Sequence, residues 1–128
     1  MAKILVADDS IVMREMVKTL LEIEGHMVIG EAKDGVEAVE KYKELRPDVT
    51  TLDITMPVMN GLQALKEIME FDSAAHVIMV SASRQNIHVS EALILGACEF
   101  LHKPLDKKEL SEAISRVTTR KPDSDFLF

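Results

Sequence analysis

Short apolar runs recur along the chain: Ile4-Leu5-Val6-Ala7, Met27-Val28-Ile29, Val49 to Leu52, Val77 to Val80, and Cys98 to Leu101. They show little polar alternation, so each predicts a strand buried on both faces, as in a parallel sheet. Amphipathic helical patterns lie between them. The first uses Met13, Met16, Val17, Leu20 and Leu21 and stops at Gly25. The second uses Val36, Val39 and Tyr42 and stops before Pro47; the third uses Leu62, Leu65, Ile68 and Met69. The fourth, about Ile87 to Leu95, is apolar on more than one side and ends at Gly96. The fifth, Leu110, Ala113, Ile114 and Val117, is an i, i+3, i+4, i+7 stripe.

Strand followed by helix, five times over, predicts an α/β fold: a five-stranded parallel sheet with helices on both faces. Each helix supplies the long, right-handed crossover that parallel neighbours require. Ser10 or Asp9 can cap the first helix, Asn60-Gly61 ends the loop before the third, and Asp106 can cap the fifth.

Length and composition narrow the class. With 128 residues, the chain fits one compact domain whose core needs no disulfide or structural metal. Its single cysteine, Cys98, lies in an apolar run and reads as a small buried hydrophobe of a reducing compartment. A net charge of -7 disfavours direct nucleic-acid contact. The first apolar run is too short for a signal peptide or a membrane span, which predicts a cytoplasmic protein with no membrane partner. Composition shifts only at the end, so the domain is placed at residues 1–120 and a C-terminal tail at 121–128. Phe126-Leu127-Phe128 is either a docking segment or a frayed terminus.

In open α/β sheets, ligands bind beyond the carboxyl ends of the strands. Strand 1 ends in Asp8-Asp9, strand 3 in Asp53, strand 4 in Ser81 and strand 5 in Lys103-Pro104. Strand 2 runs into Glu31 to Gly35, which reads as an ordinary loop. Each polar residue alone reads as a cap, a backbone-bonded hydroxyl or an exposed lysine; their joint placement on one rim points to a site. Like charges 4 Å apart cost about 4 kcal/mol at an effective dielectric of 20. Three clustered carboxylates therefore call for a proton or a cation. Only hard oxygen donors are at hand, which selects Mg²⁺ over zinc or copper. His26, His76, His88 and His102 are scattered without ligand spacing and read as structural or surface residues.

These motifs resemble the receiver domain of bacterial two-component response regulators, of the single-domain, CheY-like kind. The matching pieces are Val6-Ala7-Asp8-Asp9-Ser10, Leu52-Asp53-Ile54-Thr55-Met56-Pro57, Met59-Asn60-Gly61, Val80-Ser81-Ala82, Gly96-Ala97 and Lys103-Pro104, across about residues 2 to 118. The resemblance implies a flavodoxin-like, doubly wound fold with strand order 2-1-3-4-5, which brings strands 1 and 3 together. It implies that Asp53 accepts a phosphoryl group, with Mg²⁺ held by Asp8, Asp9, Asp53 and the backbone carbonyl of Thr55. Lys103 supplies a positive charge, aimed by a cis Pro104. Ser81 is the switch hydroxyl, and Phe100 takes the switch-aromatic position unless it only packs on the sheet. Thr55 and Ser83 hold the two positions that tune dephosphorylation.

The implied function is a phosphorylation-dependent signalling switch that catalyses only its own phosphorylation and dephosphorylation. The implied donor is a sensor histidine kinase, a histidine phosphotransfer domain or a small acyl phosphate. A protein target would dock on the face of helix 4, strand 5 and helix 5 (Ile87, Val89, Leu93, Glu99, Lys107, Lys108). The first helix (Met13, Arg14, Met16, Val17) would face the phosphodonor, and the Met56-Pro57-Val58-Met59 loop exposes apolar groups beside the site. Chemotaxis-type output, a relay role and a piece of a longer regulator all stay open. A flavodoxin lacks support because Asp8-Asp9 would repel phosphate after strand 1. A haloacid-dehalogenase hydrolase needs an Asp where Thr55 stands. A scaffold with vestigial carboxylates is the remaining alternative.

Overall fold

The computed structural model describes residues 1–119, so the predicted tail and Phe126-Leu127-Phe128 lie outside the described residues. Strands and helices alternate: β1 Lys3–Ala7, α1 Ile11–Ile23, β2 Met27–Ala32, α2 Gly35–Leu45, β3 Val49–Leu52, α3 Gly61–Phe71, β4 Val77–Ser81, α4 Asn86–Leu95, β5 Glu99–His102 and α5 Lys107–Thr119. All neighbouring strands are parallel, in the order β2-β1-β3-β4-β5.

Side chains of successive strand residues point to opposite faces, and each face has its own core. Leu5, Ala7, Leu52, Val77 and Met79 pack with Ala38 and Val39 of α2, Leu65 and Ile68 of α3, and Ala92 of α4. Ile4, Val6, Val49, Ile78 and Val80 pack with Val17 and Leu21 of α1 and with Leu110, Ala113, Ile114 and Val117 of α5. Helices therefore cover both faces, which is why the interior strands β1, β3 and β4 are largely apolar with little polar alternation. The direction in which strands are added to the sheet reverses between β1 and β3, so the carboxyl ends of these parallel neighbours lie side by side at the switch point.

Local chemistry sets the helix ends. Ser10 caps α1 by accepting from the Met13 amide, Asp34 caps α2 through the Glu37 amide, and Asn60 caps α3 through the Gln63 amide. Asp106 Oδ1 accepts from the Lys108 amide in the first turn of α5. Gly25 and Gly96 take positive φ values of 87° and 113° just beyond α1 and α4.

Three expectations need correction. First, β2 continues past Ile29, because Gly30, Glu31 and Ala32 pair with Leu5, Val6 and Ala7 after a register irregularity. At the edge of the sheet the charged Glu31 side chain stays partly in solvent. Second, α4, read as apolar on more than one side, carries Asn86, His88, Ser90 and Glu91 among its apolar residues and buries only Ala92; Ile87, Leu93 and Ile94 stand exposed. Third, Met56 is buried and Met59 packs partly against the core, so Pro57 and Val58 carry the apolar exposure of that loop. Val58 holds φ 69°, a left-handed value that is unfavourable for a β-branched residue.

Candidate functional site

Asp8 follows β1 directly and is held at all four of its polar atoms. Its amide donates to Ala32 O at 3.0 Å, and its carbonyl accepts from Arg14 Nη1 at 2.7 Å. Oδ1 accepts from the Ser10 amide at 2.9 Å, and Oδ2 accepts from Lys103 Nζ at 2.7 Å. Since Ser10 is the helix cap, the Asp9 carboxylate is not spent on that role and stands exposed on the rim.

Asp53 follows β3, is 5 % exposed, and donates its amide to Ala7 O at 3.0 Å. The next loop turns back so tightly that the Gly61 amide donates to Ile54 O at 2.7 Å. A Cβ on Gly61 would stand 1.9 Å from Asp53 O, so only glycine fits here.

Lys103 follows β5. Its amide donates to Ser81 O, its bond to Pro104 is cis, and its ammonium reaches Asp53 Oδ2 at 3.2 Å as well as Asp8. Burial pushes the Asp53 pKa up; Lys103 pulls it back and the Asp8 charge pushes it up again, leaving it raised. Burial alone would lower the Lys103 pKa, but the hydrogen bond to Asp8 and the charges of Asp53 and Asp8 outweigh it, and the net shift is upward. Lys103 is thus held in its protonated form, and its charge offsets part of the cost that burial places on the Asp53 carboxylate.

One carboxylate oxygen from each of Asp8, Asp9 and Asp53 lies within 4.8 Å of the others. Set against one ammonium, three carboxylates leave a formal charge of −2, the charge that a divalent cation balances. All donors are hard oxygens, which suits Mg²⁺ or Ca²⁺ and disfavours zinc. The residues present therefore fit a divalent ion.

Ser81, at the end of β4, is 1 % exposed. Its Oγ accepts from the Ser83 amide at 3.2 Å, and Ser83 Oγ lies 2.6 Å from His88 Nδ1 in α4. Phe100 is partly buried against the core on the α2, α3 and α4 side and stacks at a tilt on His102, with ring centroids 5.1 Å apart. Thr55 is exposed two residues beyond Asp53.

With this geometry in view, comparison with known proteins is decisive. The profile of the response regulator receiver domain matches residues 4–115. The chain belongs to that family. CcdB of Bacillus subtilis is 48 % identical over 117 residues, spanning 91 % of this chain and 98 % of the relative. The chemotaxis protein CheY of Thermotoga maritima is 47 % identical over 116 residues, spanning 91 % and 97 %. Among solved structures, the Borrelia burgdorferi complex of CheX, CheY, BeF₃ and Mg²⁺ superposes with a TM-score of 0.89 at 41 % identity. That match spans 92 % of this chain and 90 % of the other. This CheY-like receiver domain is a phosphorylation-dependent signalling switch. No helix of its described residues is long and apolar enough to cross a membrane.

The receiver also shows residues whose part was not read from sequence. Arg14 does not face outward from α1: its side chain is 14 % exposed and reaches back to Asp8. Val17 is core, so the exposed large apolar residues of α1 are Ile11, Val12, Met16 and Ile23. Glu31, on the strand end read as plain loop, receives Arg14 Nε at 3.2 Å. His88, read as structural or surface, is tied to the loop after Ser81. An isolated Arg, Glu or His carries no spacing signal, so only the fold could reveal these partners.

Proposed function

We propose that Asp53 accepts a phosphoryl group from a histidine kinase, a phosphohistidine domain or a small acyl phosphate. The placement of its buried carboxylate carries this reading: Lys103 Nζ lies 3.2 Å away, and Asp8 and Asp9 stand beside it. An Asp53 oxygen attacks phosphorus, the bond from phosphorus to the donor's leaving atom breaks, and an acyl phosphate results. Lys103 neutralises charge on the transferring group, and the hydroxyl of Ser81 donates to a phosphoryl oxygen. Asp8, Asp9, Asp53 and the carbonyl of Thr55 would hold Mg²⁺, which when bound offsets the negative charge gathered on the phosphoryl oxygens.

Attraction of Ser81 toward the phosphoryl group draws on the hydrogen bond it receives from Ser83, and so on the start of α4. Phe100 then adjusts on the adjacent strand. The output surface of α4, β5 and α5 presents exposed Ile87, Leu93, Lys107 and Lys108, with Glu99 paired to Arg116 at 2.8 Å. Capture of the Borrelia burgdorferi relative with CheX supports a protein target, and the CheY relatives favour a chemotaxis-type output. The chain catalyses only its own phosphorylation and dephosphorylation and works in the cytoplasm.

Acetyl phosphate plus Mg²⁺, read by mass spectrometry, tests this. Wild type should gain one phosphate and Asp53→Asn none; labelling that persists in Asp53→Asn overturns the assignment.

A further inference from the structure

Asp8 is tied to the end of β2 twice. One tie is direct, from its amide to Ala32 O. The other runs through a side chain of α1: Arg14 donates Nη1 to Asp8 O at 2.7 Å and Nε to Glu31 Oε1 at 3.2 Å. Glu31 also meets Lys18 at 3.8 Å, and its carbonyl accepts from Lys41 Nζ. The planar guanidinium thus bridges two strands and one helix with a fork that a lysine cannot reproduce.

By charge alone Arg14 is out of place. It puts a cation against the backbone of an aspartate in a cluster suited to a divalent ion, where Coulomb repulsion weakens ion binding. Geometry supplies the reason for it. The Asp8 carbonyl sits in the turn between β1 and α1, and that turn sets where Asp8 and Asp9 present their carboxylates. Glu31 both aims the guanidinium and offsets its charge.

We infer that Arg14, oriented by Glu31, is a positioning residue for divalent-ion binding, fixing the β1–α1 turn so that Asp8 and Asp9 face the ion together. The inference rests on the proposed Mg²⁺ site and names residues that hold the ligands rather than the ion. Loss of partners that orient metal ligands typically costs about 10–100-fold in affinity.

Magnesium titration followed by amide chemical shifts tests it on Arg14→Met and on Lys18→Met, which removes a neighbouring cation without touching Asp8. Arg14→Met should weaken Mg²⁺ binding about 10-fold, and Lys18→Met should leave it within about twofold. The sign is decisive, because a residue acting only through its charge would give tighter binding when removed. A second reading needs no metal. With EDTA present, the Ser10 amide, which donates to Asp8 Oδ1, should exchange its hydrogen faster in Arg14→Met than in Lys18→Met. If circular dichroism shows Arg14→Met unfolded, Arg14→Lys carries the same test, since it keeps the charge and loses the fork. Unchanged or tighter Mg²⁺ binding in a folded Arg14 variant overturns the inference, as does an unchanged Ser10 exchange rate. A wild type that binds no Mg²⁺ and takes no phosphate overturns the proposed function itself. Normal wild-type binding with an unaffected Arg14 variant overturns the inference alone.

Discussion

Lys103 and Asp8 stand 95 positions apart in the chain, and Lys103 Nζ lies 2.7 Å from Asp8 Oδ2. The same ammonium meets Asp53 at 3.2 Å, and both carboxylate side chains are only 6 % exposed. Lys103 is therefore the resident counter-charge of two buried acids. Breaking a buried pair by removing one partner costs about 3–5 kcal/mol. Lys103→Ala should lose about 3 kcal/mol in urea unfolding at neutral pH without divalent ions. Added Mg²⁺ should recover more stability for this variant than for wild type, since an ion bound only by the folded state stabilises it by mass action.

Asp53 carries a stability cost that depends on pH. Burial raises its pKa, so the folded protein holds the proton more tightly than the unfolded chain does. The stability linked to that proton is fully present below the ordinary carboxylate range and is lost as pH rises through the raised pKa. Asp53→Asn removes the loss. The variant should be more stable than wild type near neutral pH, with the gap closing as pH falls toward the carboxylate range. A gain of about 1 kcal/mol corresponds to about 4 °C in Tm for a domain of this size. Thermal unfolding in EDTA across that pH range checks the sign and the trend.

Under the role proposed for Ser81, the strength of one hydrogen bond limits how far phosphorylation drives the switch. A hydrogen bond to a charged oxygen contributes about 1.5–3 kcal/mol net, whereas reversing a 99:1 equilibrium takes about 5.5 kcal/mol. Beryllofluoride should therefore shift the wild-type protein incompletely, with a partner completing the change. In Ser81→Ala the activated equilibrium should lie at least about tenfold closer to the inactive state. Amide shifts of Ser83 to Val89 read this directly; wild type fully in one state without partner contradicts it.

His88 anchors a weakly held helix. Only Ala92 of α4 is buried, and Gln85 at its N-terminus makes no side-chain capping bond. The contact between Ser83 Oγ and His88 Nδ1 at 2.6 Å ties the start of α4 to the loop. His88→Ala should speed hydrogen exchange at the His88-to-Ser90 amides about five- to tenfold, the equivalent of about 1 kcal/mol, while leaving exchange in α5 unchanged.

Gly61 fixes the height of Asp53. An alanine there would place its Cβ 1.9 Å from Asp53 O, so the strand end or the start of α3 must move. Gly61→Ala should cost about 3 kcal/mol in stability. It should also slow acetyl-phosphate labelling, because a displacement of about 1 Å at a reacting group can cost ~100-fold. Mass spectrometry over time measures the second effect.

The alternation of apolar runs and amphipathic stripes made the five strands, the five helices and the parallel sheet legible, because local periodicity reports burial. Polar residues at strand ends likewise exposed Asp8, Asp9, Asp53, Ser81 and Lys103, since rim position follows from where each run stops. Failures came where burial and periodicity part company. Glu31 and Ala32 read as a loop yet pair on an edge strand, and α4, apolar on more than one side, stands largely in solvent.

The sequence by itself determined which residues form the sheet, which sit on its rim and which chemistry they offer, because those properties depend on near neighbours in the chain. Only the tertiary structure decided that the Lys103 ammonium lies between Asp8 and Asp53, that Arg14 turns inward to Asp8 and Glu31, and that His88 holds Ser83. Each of those partnerships joins separate elements, and how elements stack is set by two cores assembled from the whole chain rather than by any one segment.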